Sequence, residues 1–155
     1  MLEDKDYLEI VKDIIESDEF KELKKYKHHG INRYDHSVRV SYWAYKRAKK
    51  RGLDYKACAR AGLLHDFYLV NNQEVTLKER IKVLRSHNNI AADVSKVLFE
   101  INDKEAEIIR THMFPVNSSV PMSKEAWIVN TADKLASSYE RLFLAFTKNH
   151  RFKSE

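Results

Sequence analysis

Apolar residues recur along this chain at steps of three and four, separated by stretches of mixed charge, which is the period of amphipathic helices. Residues 4–16 carry Tyr7, Leu8, Val11 and Ile14 or Ile15 at that spacing, and a short helix follows at 18–26. The stretch "KHHGI", 27–31, reads as a loop. A long helix is expected over 32–51, stopped by Gly52, with Asp54 as the N-cap of the next. That next helix, 55–67, is apolar nearly all round and so belongs at the centre. After a loop at 71–76, helical pieces are expected at 77–85, 88–100 and 104–113, the last stopped by Pro115. "VNSSVP" reads as a second loop. Ser123 can cap a final helix over 124–147, whose spine reads as Ile128, Ala132, Leu135, Tyr139, Leu142 and Phe146. The tail beyond it is polar and expected to fray. The expected fold is an all-α helical bundle, one domain over 1–155, without repeats, linkers or low-complexity tracts.

Composition narrows the picture. Three glycines and two prolines in 155 residues argue against a turn-rich β fold. The formal net charge of +5 admits an anionic ligand, but the charges are mixed in sign. Tracts such as "KELKKYK" and "KRAKKRG" read as solvated helix faces, not as a concentrated nucleic-acid-binding block. The one cysteine, Cys58, lies between alanines; it excludes an intrachain disulfide and fits a packing role in a reducing compartment. The charged start "MLEDKDYLEI" is unlike a signal peptide, and no apolar run reaches membrane-span length. The expected location is the cytoplasm, away from the membrane.

The candidate chemistry centres on "AGLLHDFYLV", 61–70, apolar except for His65 and Asp66. Burying an ionised carboxylate beside an imidazole is costly unless both are partnered. A His-Asp pair alone means little, since chance gives one to roughly every second chain of this composition. The placement of the other polar residues carries more. His36 shares a helix face with Val40, Trp43 and Ala44, and His87 shares one with Ile90, Ala91, Val94 and Leu98. His112 follows Ile108 and Ile109 at steps of four and three, and Asp133 lies between Val129 and Ala136. Each taken singly reads as a hydrogen-bonded core residue. Four imidazoles and two carboxylates on core faces instead call for a shared partner, and a divalent cation serves all of them.

The order His36, His65-Asp66, Asp133 resembles the H…HD…D signature of the HD superfamily of metal-dependent phosphohydrolases. "YDHSVRVSYWAY" is similar to that family's first motif, "ARAGLLHDF" to its second and "IVNTADKLASSYE" to its last. "RSHNNIAADV" and "IIRTHMFP" resemble the extra-histidine motifs of branches that hold two metals. The similarity runs from His28 to Glu140. It departs at Asn88, where related sequences tend to have Pro after the histidine, which would alter the helix start there. The resemblance implies a helical fold around a central metal site. His36, His65, Asp66 and Asp133 would bind a first divalent metal; His87 and His112 would complete a second, bridged by Asp66. Fe, Mn, Zn, Co and Ni all suit such a mixed donor set.

The implied activity is hydrolysis of a phosphoester or phosphoanhydride in a small phosphorylated molecule, a nucleotide first among them, by a metal-activated hydroxide. Asp66 or another nearby acid would relay the proton. Lys134, beside Asp133, Arg33, one turn before His36, and His29, in the loop before the first motif, are candidate phosphate contacts, each with a plain alternative as a surface or loop residue. Dinucleoside polyphosphate hydrolysis and nucleotide 5′-phosphatase activity fall within this reading. A cyclic-nucleotide or dinucleotide phosphodiesterase, a paired-iron oxygenase, a non-catalytic sensor module and an RNA-binding protein are the alternatives. The full ligand set speaks against the sensor. The lack of a basic block speaks against RNA, so any nucleic-acid binding should be weak, salt-dependent and indifferent to sequence.

Overall fold

Short oxygen-bearing side chains decide where six helices of this chain begin. Asp4 accepts from the Tyr7 amide (3.2 Å) at the start of α1, Lys5–Ile15, and Ser17 from the Phe20 amide (3.1 Å) at α2, Asp18–Lys21, which runs into a 3₁₀ turn, Glu22–Lys25. Asn32 takes the Asp35 amide (2.8 Å) and opens α3, Arg33–Lys50. Asp54 takes the Ala57 amide (3.0 Å) and opens α4, Tyr55–Leu64. After α5, Leu77–Phe99, a reciprocal capping box of Asn102 and Glu105 starts α6, Asp103–Thr111. Ser123 then accepts from the Ala126 amide (3.0 Å) at α7, Lys124–Arg151. Each cap satisfies an amide that the first helical turn leaves without a partner. The computed structural model describes the backbone of residues 3–28, 31–68 and 77–151, and the side chains of these except 27–28, 77–85 and 144–151. It is all-α apart from one short antiparallel pairing, β1 (Lys27–His28) on β2 (Ile31–Asn32).

The expected helices are present, with four differences. Lys27, His28 and Ile31, within the stretch read as a loop, belong to that β1–β2 pairing. The pieces expected at 77–85 and 88–100 are one helix, α5. The stretch "SHNN" has weak helix propensity but contains no glycine or proline to break the ladder. On its inward face His87 and Ala91 are joined by Asn88, Ala92, Ser95 and Phe99, while Ile90 and Leu98 are exposed. Third, α4 ends at Leu64 and not at 67, because the His65 ring takes the Gly62 carbonyl (2.9 Å) that a continuing helix would offer to the Asp66 amide. Finally, the spine of α7 is rotated. Ile128 and Ala132 are buried as expected, but Leu135, Tyr139 and Leu142 are 51%, 50% and 62% exposed. The buried row is Ala126, Val129, Ala136 and Glu140, with Asp133 between them. Phe146 and the loop at 71–76 lie outside the described side chains, as does the tail beyond Arg151.

α3 and α4 form the centre. α3 packs on α4 and α7, α4 also on α1, α6 and α7, and α5 on α6. The α3–α4 approach is close because Gly62 has no side chain: a Cβ there would lie 2.9 Å from the Ser41 Cα. Ser41 donates to the Ala59 carbonyl (2.6 Å) and accepts from the Tyr7 hydroxyl (2.8 Å), tying α1, α3 and α4 together through buried bonds. Gly52, at φ +63°, ends the turn after α3 in the left-handed conformation expected of a glycine there. No helix among the described residues is long and apolar enough to cross a membrane.

Candidate metal centre

The central packing brings five segments to one point. His36 comes from the first turn of α3, His65 and Asp66 from the end of α4, His87 from the middle of α5, His112 from the end of α6 and Asp133 from α7. All four imidazoles and Asp66 are buried. Asp66 Oδ1 lies 3.4 Å from His87 Nε2 and 3.6 Å from His112 Nε2, while its Oδ2 lies 3.9 Å from His65 Nε2. Asp133 Oδ1 lies 3.2 Å from His36 Nε2 and 3.7 Å from His65 Nε2. Three overlapping sets have ligand atoms within 4.8 Å of one another: His36, His65 and Asp66; His65, His112 and Asp133; and Asp66, His87 and His112.

Local structure aims these rings. His65 and His112 use the same device: each is the C-cap of its helix, and each Nδ1 bonds the carbonyl three residues back, Gly62 (2.9 Å) and Ile109 (2.7 Å). That bond fixes the tautomer and leaves Nε2 as the free lone pair. His36 is held from behind by a carboxylate, with Nδ1 2.9 Å from Glu140 Oε2. Glu140 is itself buried and paired with the Arg39 guanidinium. Two helix C-termini, of α4 and α6, meet at the cluster, and their carbonyl ends favour positive charge there.

The titration behaviour follows from these contacts. Burial opposes a charged His36, but hydrogen bonds to Asp133 and Glu140 outweigh it and lift the imidazole to about 9. Burial alone would raise Asp133; its bond to His36 holds it down at about 2. Burial, with His65 close by, pushes His112 down to about 4, so it stays neutral.

A divalent cation suits this donor set. His65 Nε2 is buried and has no hydrogen-bond partner among the described residues, because both carboxylates stand too far from it to bond directly. Two buried carboxylates facing four imidazoles form a mixed N/O set of the kind that takes first-row transition metals.

All six residues expected as ligands are therefore brought together. Of the three residues expected as phosphate contacts, Arg33 and Lys134 lie among the described residues. Arg33 is buried behind Tyr68, donating to its carbonyl (2.8 Å) and its hydroxyl (3.2 Å) and lying over its ring; the Tyr68 ring is 5.2 Å from that of His87. Lys134 sits beside Asp133 with Nζ 3.5 Å from the His112 carbonyl and 3.4 Å from that of Asn130, and makes no ion pair among the described residues. His29 lies outside the described residues.

Four supporting residues are not evident from motif order alone. Glu140 falls seven positions after Asp133, a carboxylate on the same helix face, and that spacing is its one sequence signal. Asn130 donates to the carbonyls of His112 (2.7 Å) and Phe114 (2.8 Å), fixing the end of α6 against α7. Asn88, where related sequences tend to have Pro, donates its side-chain amide to the Arg110 carbonyl and holds α5 on α6; the helix runs through it without a new start. Tyr68 follows Asp66 by two residues and packs on His87.

No curated protein and no solved structure matches the chain. A family model described as the HD domain matches residues 33–138, a span of more than half the chain that begins just before His36 and ends just after Asp133; the chain belongs to the HD domain family.

Proposed function

We propose that the protein is a metal-dependent phosphohydrolase acting on a small phosphorylated molecule, with nucleotides the leading class. The HD domain family is broadly one of metal-dependent phosphohydrolases. The observation that carries the reading is the convergence of His36, His65, Asp66, His87, His112 and Asp133, with a buried His65 Nε2 that has no hydrogen-bond partner among the described residues.

When bound, a divalent ion supplies Lewis-acid polarisation of a phosphoryl oxygen and brings the pKa of water toward neutrality. The chain's residues do the rest by position. Asp66 faces His87 and His112 with one oxygen and His65 with the other, so it orients both halves of the cluster toward one reacting group. This sharing favours two ions: His36, His65, Asp66 and Asp133 would hold one, and Asp66, His87 and His112 would hold the second. Lys134, next to Asp133 and without an ion pair among the described residues, is a candidate cation for a substrate phosphate. Arg33 acts one step back, holding Tyr68 against His87.

The test is a screen of phosphorylated metabolites with Mn, Fe, Co, Ni, Zn and Mg, following release of phosphate or of the dephosphorylated product. Hydrolysis should require added metal, and Asp66→Ala should abolish it while the helical circular dichroism is retained. Full activity in metal-stripped protein or in Asp66→Ala would overturn the reading.

A further inference from the structure

Away from the metal cluster, α3 and α7 run alongside each other and leave a groove of about 660 Å³ between them. Its floor is apolar, made by Trp43, Ala132 and Leu135, and its α3 bank is basic, with Lys46, Arg47 and Lys50. Arg47 also lines a second hollow of about 310 Å³ that continues the groove past Arg51, Lys124 and Trp127. In the other direction the apolar stripe runs on over Tyr139, Leu142 and Phe143, all at least half exposed. No carboxylate lines either hollow. Lys46, Arg47, Lys50, Arg51 and Lys124 make no ion pair among the described residues, whereas Lys49, which also lines the groove, is paired with Asp6.

We propose that the α3–α7 groove is a docking site for an acidic amphipathic helix of another protein. The stripe Leu135, Tyr139 and Leu142 follows the i, i+4, i+7 spacing of a helix-packing seam, and no helix among the described residues covers it. From Trp127 to Phe143 it extends over about 24 Å at 1.5 Å per residue, the length of a helix of about sixteen residues. A helix laid there would set its apolar residues on Trp43 and Leu135 and its acids against the uncompensated α3 cations, the helix-in-groove mode with matching charge.

The same features disfavour other occupants. Single-stranded nucleic acid binds by stacking bases on open aromatic faces. Here Trp43 packs edge-on to Tyr139, Tyr139 stacks on Phe143 and lies under Arg39, and Trp127 packs edge-on to Phe114, so the rings are already engaged. A second copy would bring one basic bank against another, and like charges across an interface are unfavourable. A membrane surface would meet a concave face, where an interfacial anchor needs a projecting one.

The experiment is fluorescence anisotropy of a labelled sixteen-residue helical peptide with leucines at i, i+3, i+4 and i+7 and glutamates elsewhere, titrated with the metal-loaded full-length protein. A control peptide carries lysine in place of every glutamate. The acidic peptide should bind and the basic one should not. Binding should weaken by about tenfold or more in Lys46→Glu/Lys50→Glu and in Leu135→Asp, and should fall with added salt. These positions are exposed, so the variants should keep their helical circular dichroism. The emission of Trp43 and Trp127 should shift on binding in the wild type. The proposal is overturned if the acidic peptide fails to bind, if the basic peptide binds equally, or if the variants bind like wild type. It is also overturned if the protein sediments as a dimer that Leu135→Asp dissociates, or if oligouridylate or phosphatidylserine vesicles take the face and the peptide does not.

Discussion

At the scale of single residues, the telling feature is that His36, His65 and His112 are aimed from behind. Glu140 does this for His36 with a buried carboxylate that is also paired with Arg39. Removing such a partner from a ligating histidine typically lowers metal affinity by about 10–100-fold. Glu140→Gln should therefore weaken metal binding by that order while the six ligand-type residues remain, as measured by competition with a chelating indicator; unchanged affinity would reduce Glu140 to a packing residue. Cys58 shows the opposite use of burial. It packs between alanines in α4, and burial, with the nearby Glu125 and Asp54, pushes its thiol up to about 12. The folded thiol is then neutral while an unfolded one ionises near its ordinary value, so this group contributes stability below about pH 9 that is lost as pH rises toward 12. At pH 8 the native protein should resist iodoacetamide and react only as fast as it unfolds, which a urea series would show as an alkylation rate tracking the unfolded fraction.

Among the elements, the α3–α4 contact is the one that builds the site, because it sets the end of α4 beside the start of α3. It depends on Gly62 lying against the backbone of Ser41. Gly62→Ala would place a methyl 2.9 Å from a backbone atom that cannot swing away, so the helices must separate. Overpacking of this kind costs about 1–3 kcal/mol, and a urea midpoint should fall accordingly, with weaker metal binding because His36 and His65 move apart. The helices themselves were largely legible in the chain. Capping residues such as Asp54 and Ser123, and the stop at Gly52, stand where the pattern places them. The helix faces were less legible: on α7 a run of large apolar residues marks a spine that the fold leaves outside, while Val129, Ala136 and Glu140 go in. Small residues and a carboxylate carry little hydrophobic signal, yet they fit where helices approach closely and where a histidine needs an acid.

Across the whole molecule, a cation bound at the buried cluster would link metal binding to stability. Two carboxylates and four imidazoles at the junction of five segments form a poor core without a cation, and a ligand that binds only the folded state stabilises it by mass action, about 2.7 kcal/mol at a hundred times its Kd. Loading with Mn or Fe should raise the unfolding temperature, and EDTA should reverse the shift. Elemental analysis should approach two metals per chain, and His87→Ala should lower it toward one while leaving part of the thermal shift. A wild type that holds one metal under excess would remove the second ion from the proposed mechanism.

The sequence by itself determined the helical class and most helix boundaries and singled out the six residues that converge, because capping chemistry, apolar period and motif order are local properties. Tertiary structure alone decided that these residues meet, through the close α3–α4 approach at Gly62 and the carbonyl bonds that turn His65 and His112 inward. It also recruited Glu140, Asn130, Asn88 and Tyr68, and left a basic, apolar groove uncovered between α3 and α7. Those outcomes depend on which helix lies against which, and a one-dimensional pattern of apolar positions does not carry that information. It marks each helix as having a face to bury but does not say which neighbour buries it.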